Sequence, residues 1–262
     1  MTGFAAAFWA ETLKARRAKI TLLIAAGVLL LPLASGFFML ILKNPEQARS
    51  LGLIGAKAQI TAGVADWPSY FGMLTQGMAV AGAILFALMT AWVFGREFSD
   101  HTAKELLALP TPRWNIVIAK FVWLGLWVLA LTLLVFVVGL GFAAAITIPG
   151  WSLELARTAL GNVLVTAILT ALLMPFVAFF ASLGRGYLLP MGWTILALAF
   201  ANILSVLGWG DWFPWAVPVL ASGMVRSDAG PLGAHSYLVV LGAALVGVIA
   251  TVAWWQSADQ TR

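Results

Sequence analysis

The side chains with the most chemical potential in this sequence are crowded into one stretch. Gly95–Lys120 carries Arg96, Glu97, Asp100, Lys104, Glu105, Arg113 and Lys120, seven of the chain's 25 Asp, Glu, Lys and Arg residues. His101 lies among them. Such a group could catalyse, ligate a metal or dock a partner. Catalysis finds little support, because the patterns G-x-x-x-x-G-K-[ST], H-E-x-x-H and G-x-S-x-G are all absent. The only other histidine is His235, and there is no cysteine, so neither a thiolate nucleophile nor a disulfide is available. Ionic and hydrogen-bonded docking is the chemistry left.

The elements that must position these charges follow from composition. The chain of 262 residues is 62% hydrophobic and 10% charged, against about 45–50% and about 25% in a soluble domain. A soluble globule of this size cannot hide so much apolar surface, and disorder needs the opposite composition. Six stretches hold no Asp, Glu, Lys or Arg: Ile20–Leu42, Trp67–Gly95, Phe121–Leu153, Thr158–Gly184, Gly186–Gly210 and Ala229–Ala258. Each exceeds the roughly 20 residues a helix needs to cross a bilayer, and the short alternating strands of a barrel are missing. The expected architecture is one transmembrane domain over residues 1–262, with spans near 20–42, 70–94, 114–147, 157–182, 188–207 and 235–256.

Six spans put both termini on one side. If that side is cytoplasmic, the inner segments hold ten of the 15 Lys and Arg residues and the outer segments five, so the cations favour inner termini. Cations scattered over short loops also argue against a nucleic-acid partner. The first apolar run starts after 19 residues and is 23 long, which fits a span rather than a cleaved leader. Most tryptophans, including Trp9, Trp67, Trp92, Trp254 and Trp255, fall near span ends, where the ring favours the interface.

Between the spans, Phe4, Phe8, Trp9 and Leu13 recur at helical spacing, and Glu11, Lys14, Arg16, Arg17 and Lys19 supply a polar side. This predicts an amphipathic helix in the inner headgroup layer, either a simple anchor or an elbow that transmits movement to the first span. In the charged loop, Thr102 and Glu105 have capping-box spacing, predicting a helix Ala103–Leu109 stopped by Pro110. Thr111 would cap the next helix, with Pro112 at its first position. A helix that short must dock on something: the membrane surface, its own loops or a cytoplasmic partner. Near the other end of the chain, Trp212–Val225 is apolar but too short to span, which fits a re-entrant hairpin.

None of the six stretches has an ionisable residue in its middle. Carriers powered by an ion gradient keep such groups in the membrane. Among the uncharged polar residues are Gln76, Asn202 and Ser205 in the second and fifth spans, and Asn162, Thr166 and Thr170 on one face of the fourth span. They serve either interhelical hydrogen bonds or a substrate path. Pro32 and Pro175 are expected to kink the first and fourth spans.

The charged loop resembles that of ABC-2-type permeases, the membrane subunits of bacitracin-resistance and lantibiotic-immunity exporters. Glu97, Thr102, Lys104, Leu106, Leu107, Pro110 and Arg113 match the family's pattern, and His101 stands where the family has glycine. The six spans, the basic N-terminus and the hairpin before the last span also fit. The resemblance implies an all-α membrane protein with an N-terminal elbow helix, a cytoplasmic coupling helix and an extracytoplasmic re-entrant hairpin. It implies a multi-pass permease subunit of a bacterial ABC exporter in the cytoplasmic membrane, not itself an enzyme and without a cofactor of its own. Two permease copies would pair with separate ATPase subunits, and Glu97, Thr102, Lys104, Glu105, Leu106, Leu107, Pro110 and Arg113 would couple them. Gln76, Asn162, Thr166, Thr170 and Asn202 are the candidate substrate path. A membrane scaffold tethering a cytoplasmic partner, and a gradient-driven carrier, are the alternative readings.

Overall fold

The computed structural model describes residues 3–44, 46, 64–108, 111–223 and 232–257. Regular structure among them is entirely helical. Helix α1 (Gly3–Arg17) is separated by the extended residue Ala18 from α2 (Lys19–Lys43). Next come α3 (Trp67–Gly77), a π-helical turn (Met78–Gly82) and α4 (Ala83–Ser99), which together form one continuous span. The short α5 (Ala103–Leu107) leads to α6 (Arg113–Ile146), and α7 (Leu153–Ala171) is followed by α8 (Met174–Leu183). Helix α9 (Leu188–Val206), a 3-10 turn (Gly210–Trp212), α10 (Val217–Ala221) and α11 (Ala234–Ser257) complete the chain.

Six helical segments are long and apolar enough to cross a membrane: Lys19–Lys43, Trp67–Ser99, Arg113–Ile146, Leu153–Leu183, Leu188–Val206 and Ala234–Ser257. The protein is a multi-pass helical membrane protein. Contacts between span ends show an up-and-down path. At one end the Trp67 N–H donates to Pro149 O (3.1 Å), and the Lys43 ammonium donates to Ile146 O (2.7 Å). At the other, Arg113 donates to Trp255 O and Gln256 O (3.3 and 3.1 Å), and Gly95 lies against Gly186. This second end, called here the α5 end, also carries α1.

Local sequence explains several breaks. Asp66 caps α3 by accepting the Ser69 N–H (2.9 Å), and Ser152 caps α7 by accepting the Leu155 N–H (3.1 Å). Pro175, in the first turn of α8, interrupts the fourth span outright at Leu172 and Leu173. The Thr251 hydroxyl on α11 meets the Pro175 carbonyl (3.2 Å), and Gly247 lets the two helices close on that turn. At Pro32 the first span stays one continuous helix, with the Tyr70 hydroxyl donating to Pro32 O (3.3 Å).

Four expectations from sequence are corrected. Trp255 is not an interfacial ring: it is 1% exposed, and its indole N–H donates to Ser182 Oγ (2.9 Å). Thr102 does not cap α5 with its side chain, and the next helix begins at Arg113, with Pro112 rather than Thr111 in the capping position. The polar residues of α1 do not form one solvated side, because Glu11 is 5% exposed and faces the bundle, whereas Arg16 and Arg17 point outward. Trp215, Ala216, Val217 and Leu220 of the proposed hairpin are buried, and α10 packs on α7. Residues 224–231, which end that hairpin, lie outside the described residues.

Candidate functional site

The charged loop is anchored by a cluster of four ionised side chains. Lys120, on the second turn of α6, is fully buried. An ammonium has three donors and tolerates burial only if all are used. Here Nζ donates to Val93 O (2.9 Å), pairs with Glu97 Oε1 (3.0 Å) and pairs with Glu11 Oε1 (3.1 Å). Lys14, half-buried on α1, closes the ring from the other side, at 2.6 Å from Glu97 Oε1 and 2.9 Å from Glu11 Oε1. Two carboxylates therefore share two ammonium groups. The ring of Phe94 lies 5.8 Å from the Lys120 ammonium and lines its apolar side.

This arrangement ties three elements together. Glu11 and Lys14 come from α1, Glu97 from the end of α4, and Lys120 from the start of α6. The remaining oxygen of Glu97 reaches a fourth: Thr102 Oγ1 donates to Glu97 Oε2 (2.8 Å). Thr102 is the residue from which α5 starts, and its carbonyl accepts the Leu106 N–H (3.0 Å). Thr102 therefore links the start of α5 to Glu97, and through Glu97 to α1 and α6.

Of the eight coupling candidates, Glu97 and Thr102 belong to this joint. Lys104 and Glu105 are exposed on α5, and Leu106 is half-buried against the protein's own core. Arg113 sits on the last carbonyls of α11, where a cation complements the helix dipole. The side chain of Leu107, and Leu109 and Pro110 entirely, lie outside the described residues. His101 adopts a left-handed backbone (φ 57°), the conformation glycine takes without strain.

The candidate path residues do not form one stripe. Gln76 and Asn202 line a common cavity of about 360 Å³ with Ser205, between the second and fifth spans and under α10. Thr166 and Thr170 are buried in the fourth span; Thr170 donates to Thr166 O (2.8 Å), whereas Thr166 Oγ1 has no hydrogen-bond partner. Asn162, four residues earlier, is exposed. A separate apolar cavity of about 330 Å³ opens at the break in the fourth span, lined by Phe121, Leu124, Leu172 and Pro175 among others.

Sequence reasoning missed Glu11, Lys14 and Lys120 as parts of the site. One signal was present. Lys120 is flanked by Ile116, Val117 and Ala119 within a helical stretch, a setting in which a lysine needs a partner.

Comparison with known proteins agrees with this architecture. Residues 7–202 match the model of the ABC-2 family transporter proteins. The chain is also 26% identical over 179 residues to the bacitracin transport permease protein BCRB of Bacillus licheniformis, covering 68% of this chain and 85% of that one. With the family model spanning most of the chain, the six-span bundle belongs to the ABC-2 transporter family.

Proposed function

We propose that this chain is the permease subunit of a bacterial ABC exporter, driven by ATP hydrolysed in a separate ATPase subunit. The α5 end faces the cytoplasm together with both termini, and two permease copies enclose the path. Helix α5 sits in a groove of the ATPase, with Lys104 and Glu105 as the contact pair. The observation that carries this reading is the two-sided character of α5. Its Leu106 face and Thr102 fasten it to the spans, while Lys104 and Glu105 are left free for a partner.

The cargo is an amphipathic or hydrophobic molecule such as a peptide antibiotic. The name of the Bacillus licheniformis relative and the apolar walls of the cavities support this. The cavity around Gln76, Asn202 and Ser205 offers the few polar groups that would orient such a molecule. The hairpin that includes α10 closes the extracytoplasmic side.

The test is reconstitution with the ABC ATPase subunit that co-purifies with this chain. Glu105→Lys and Lys104→Glu should express and melt like the parent, because exposed substitutions move stability by about 0.5 kcal/mol or less. Both should lose stimulation of ATP hydrolysis. If both variants bind the ATPase and stimulate it fully, α5 is not the coupling element. Transport that continues without any ATPase and collapses with the proton gradient would instead identify a gradient-driven carrier.

A further inference from the structure

Beside the ion cluster lies a second cationic feature, which the coupling role does not use. A trough of about 640 Å³ opens at the corner where α1 turns into α2, against the end of α4. Its charged walls are Lys14, Arg17, Lys19 and Arg96, opposed by the single carboxylate of Asp100. Lys14 is committed to Glu11 and Glu97, and Arg96 pairs with Asp100 (2.9 Å). Arg17 and Lys19 are exposed and have no ion-pair partner among the described residues. The trough therefore holds an uncompensated positive charge from two side chains separated by a single residue, Ala18.

The rest of the trough is not built for a hydrated ion. Leu13 and Ile20 line it, and so does Trp92, whose ring lies 5.1 Å from the Arg96 guanidinium. An indole under a cation at the end of a span is the pattern of a membrane–water boundary. The position agrees, because the trough lies where the last residues of α1 give way to the first apolar turn of α2. A ligand suited to it carries an anion at one end and apolar chain at the other.

We infer that this trough binds the phosphate headgroup of an anionic phospholipid from the leaflet that meets the α5 end. Arg17 and Lys19 hold the phosphate, and the first atoms of the lipid chains run over Ile20 and Trp92 into the bilayer. Basic pockets between spans at a membrane surface bind acidic headgroups in this way. The inference needs the six spans to lie in a bilayer. It does not need α5 to couple to an ATPase.

The test uses the full chain in vesicles of phosphatidylcholine doped with phosphatidylglycerol. Spin-labelled forms of the two lipids measure the preference of the protein for one over the other. The parent should prefer phosphatidylglycerol several-fold. Removal of both free cations in Arg17→Gln/Lys19→Gln should reduce that preference to near unity. The control is Arg16→Gln/Arg185→Gln, which removes the same charge from exposed residues at the same end but outside the trough; it should keep the preference. All three proteins should give the same elution profile and melting temperature, since every substituted residue is exposed. Inorganic phosphate, compared with chloride at equal ionic strength, should leave the lipid preference unchanged. The inference is overturned if the parent shows no preference, if Arg17→Gln/Lys19→Gln retains it, or if both double variants lose it equally. Displacement by inorganic phosphate would overturn the lipid assignment in favour of a site for free anions.

Discussion

Lys120 Nζ and Glu97 Oε1 stand 3.0 Å apart, and the lysine is completely shielded from solvent. Removing either one leaves the four-membered cluster with one uncompensated charge in a poorly solvated setting. Lys120→Met and Glu97→Gln should each lower stability by about 3–5 kcal/mol, read as a fall in melting temperature of the purified protein. The double variant should lose less than the sum of the singles, by about 1 kcal/mol or more, because the two side chains share one network. Strictly additive losses would mean that the pair does not interact.

His101 holds a left-handed backbone between α4 and α5. For a residue with a side chain this conformation costs about 1–2 kcal/mol, and for glycine very little. His101→Gly should therefore raise the melting temperature or leave it unchanged, and His101→Val should lower it. A loss of stability in His101→Gly would show that the imidazole itself holds the turn.

Gly95 and Gly125 make opposite demands. A Cβ on Gly95 would lie 2.9 Å from Gly186 O, so the end of α4 can approach the α8–α9 turn only without a side chain there. Gly95→Ala should destabilise by about 1–3 kcal/mol. At Gly125 a Cβ would meet nothing within 4 Å, and Gly125→Ala should gain about 0.5–1 kcal/mol from helix propensity alone. Parallel melting curves of the two variants check both signs.

Gln76 and Asn202, which line one cavity from different spans, bear on cargo rather than on coupling. Gln76→Leu with Asn202→Leu should shift the cargo concentration giving half-maximal ATPase stimulation about fivefold or more, at roughly 1 kcal/mol for each hydrogen bond removed. Basal association with the ATPase should not change. A variant that loses association instead would place these residues in the fold, not the path.

The number of spanning helices was legible because charge is excluded from a bilayer, so the acidic and basic residues punctuate the sequence between spans. The left-handed backbone at His101 was not predicted, although the sequence marked that position as one where the family has glycine. The ion cluster was not legible. Lys14 and Glu97 are 83 positions apart, and charges near a span end look the same in a sequence whether they face solvent or a partner. The π-helical turn at Met78–Gly82 also left no trace, since its residues are ordinary small and apolar ones. Thr102 carried a correct signal with the wrong partner: instead of accepting a backbone N–H as a cap, its hydroxyl donates to the Glu97 carboxylate, a charge-assisted bond.

The joint between α1, α4 and α6 has an electrical consequence. Two carboxylates and two ammonium groups sum to zero. A single charge carried across a membrane potential exchanges about 2.3 kcal/mol with the field for every 100 mV. A neutral quartet that moves as one body exchanges none. The quartet itself can therefore shift in depth without electrical work, whereas the uncompensated Arg17 and Lys19 beside it exchange energy with the field in any such movement.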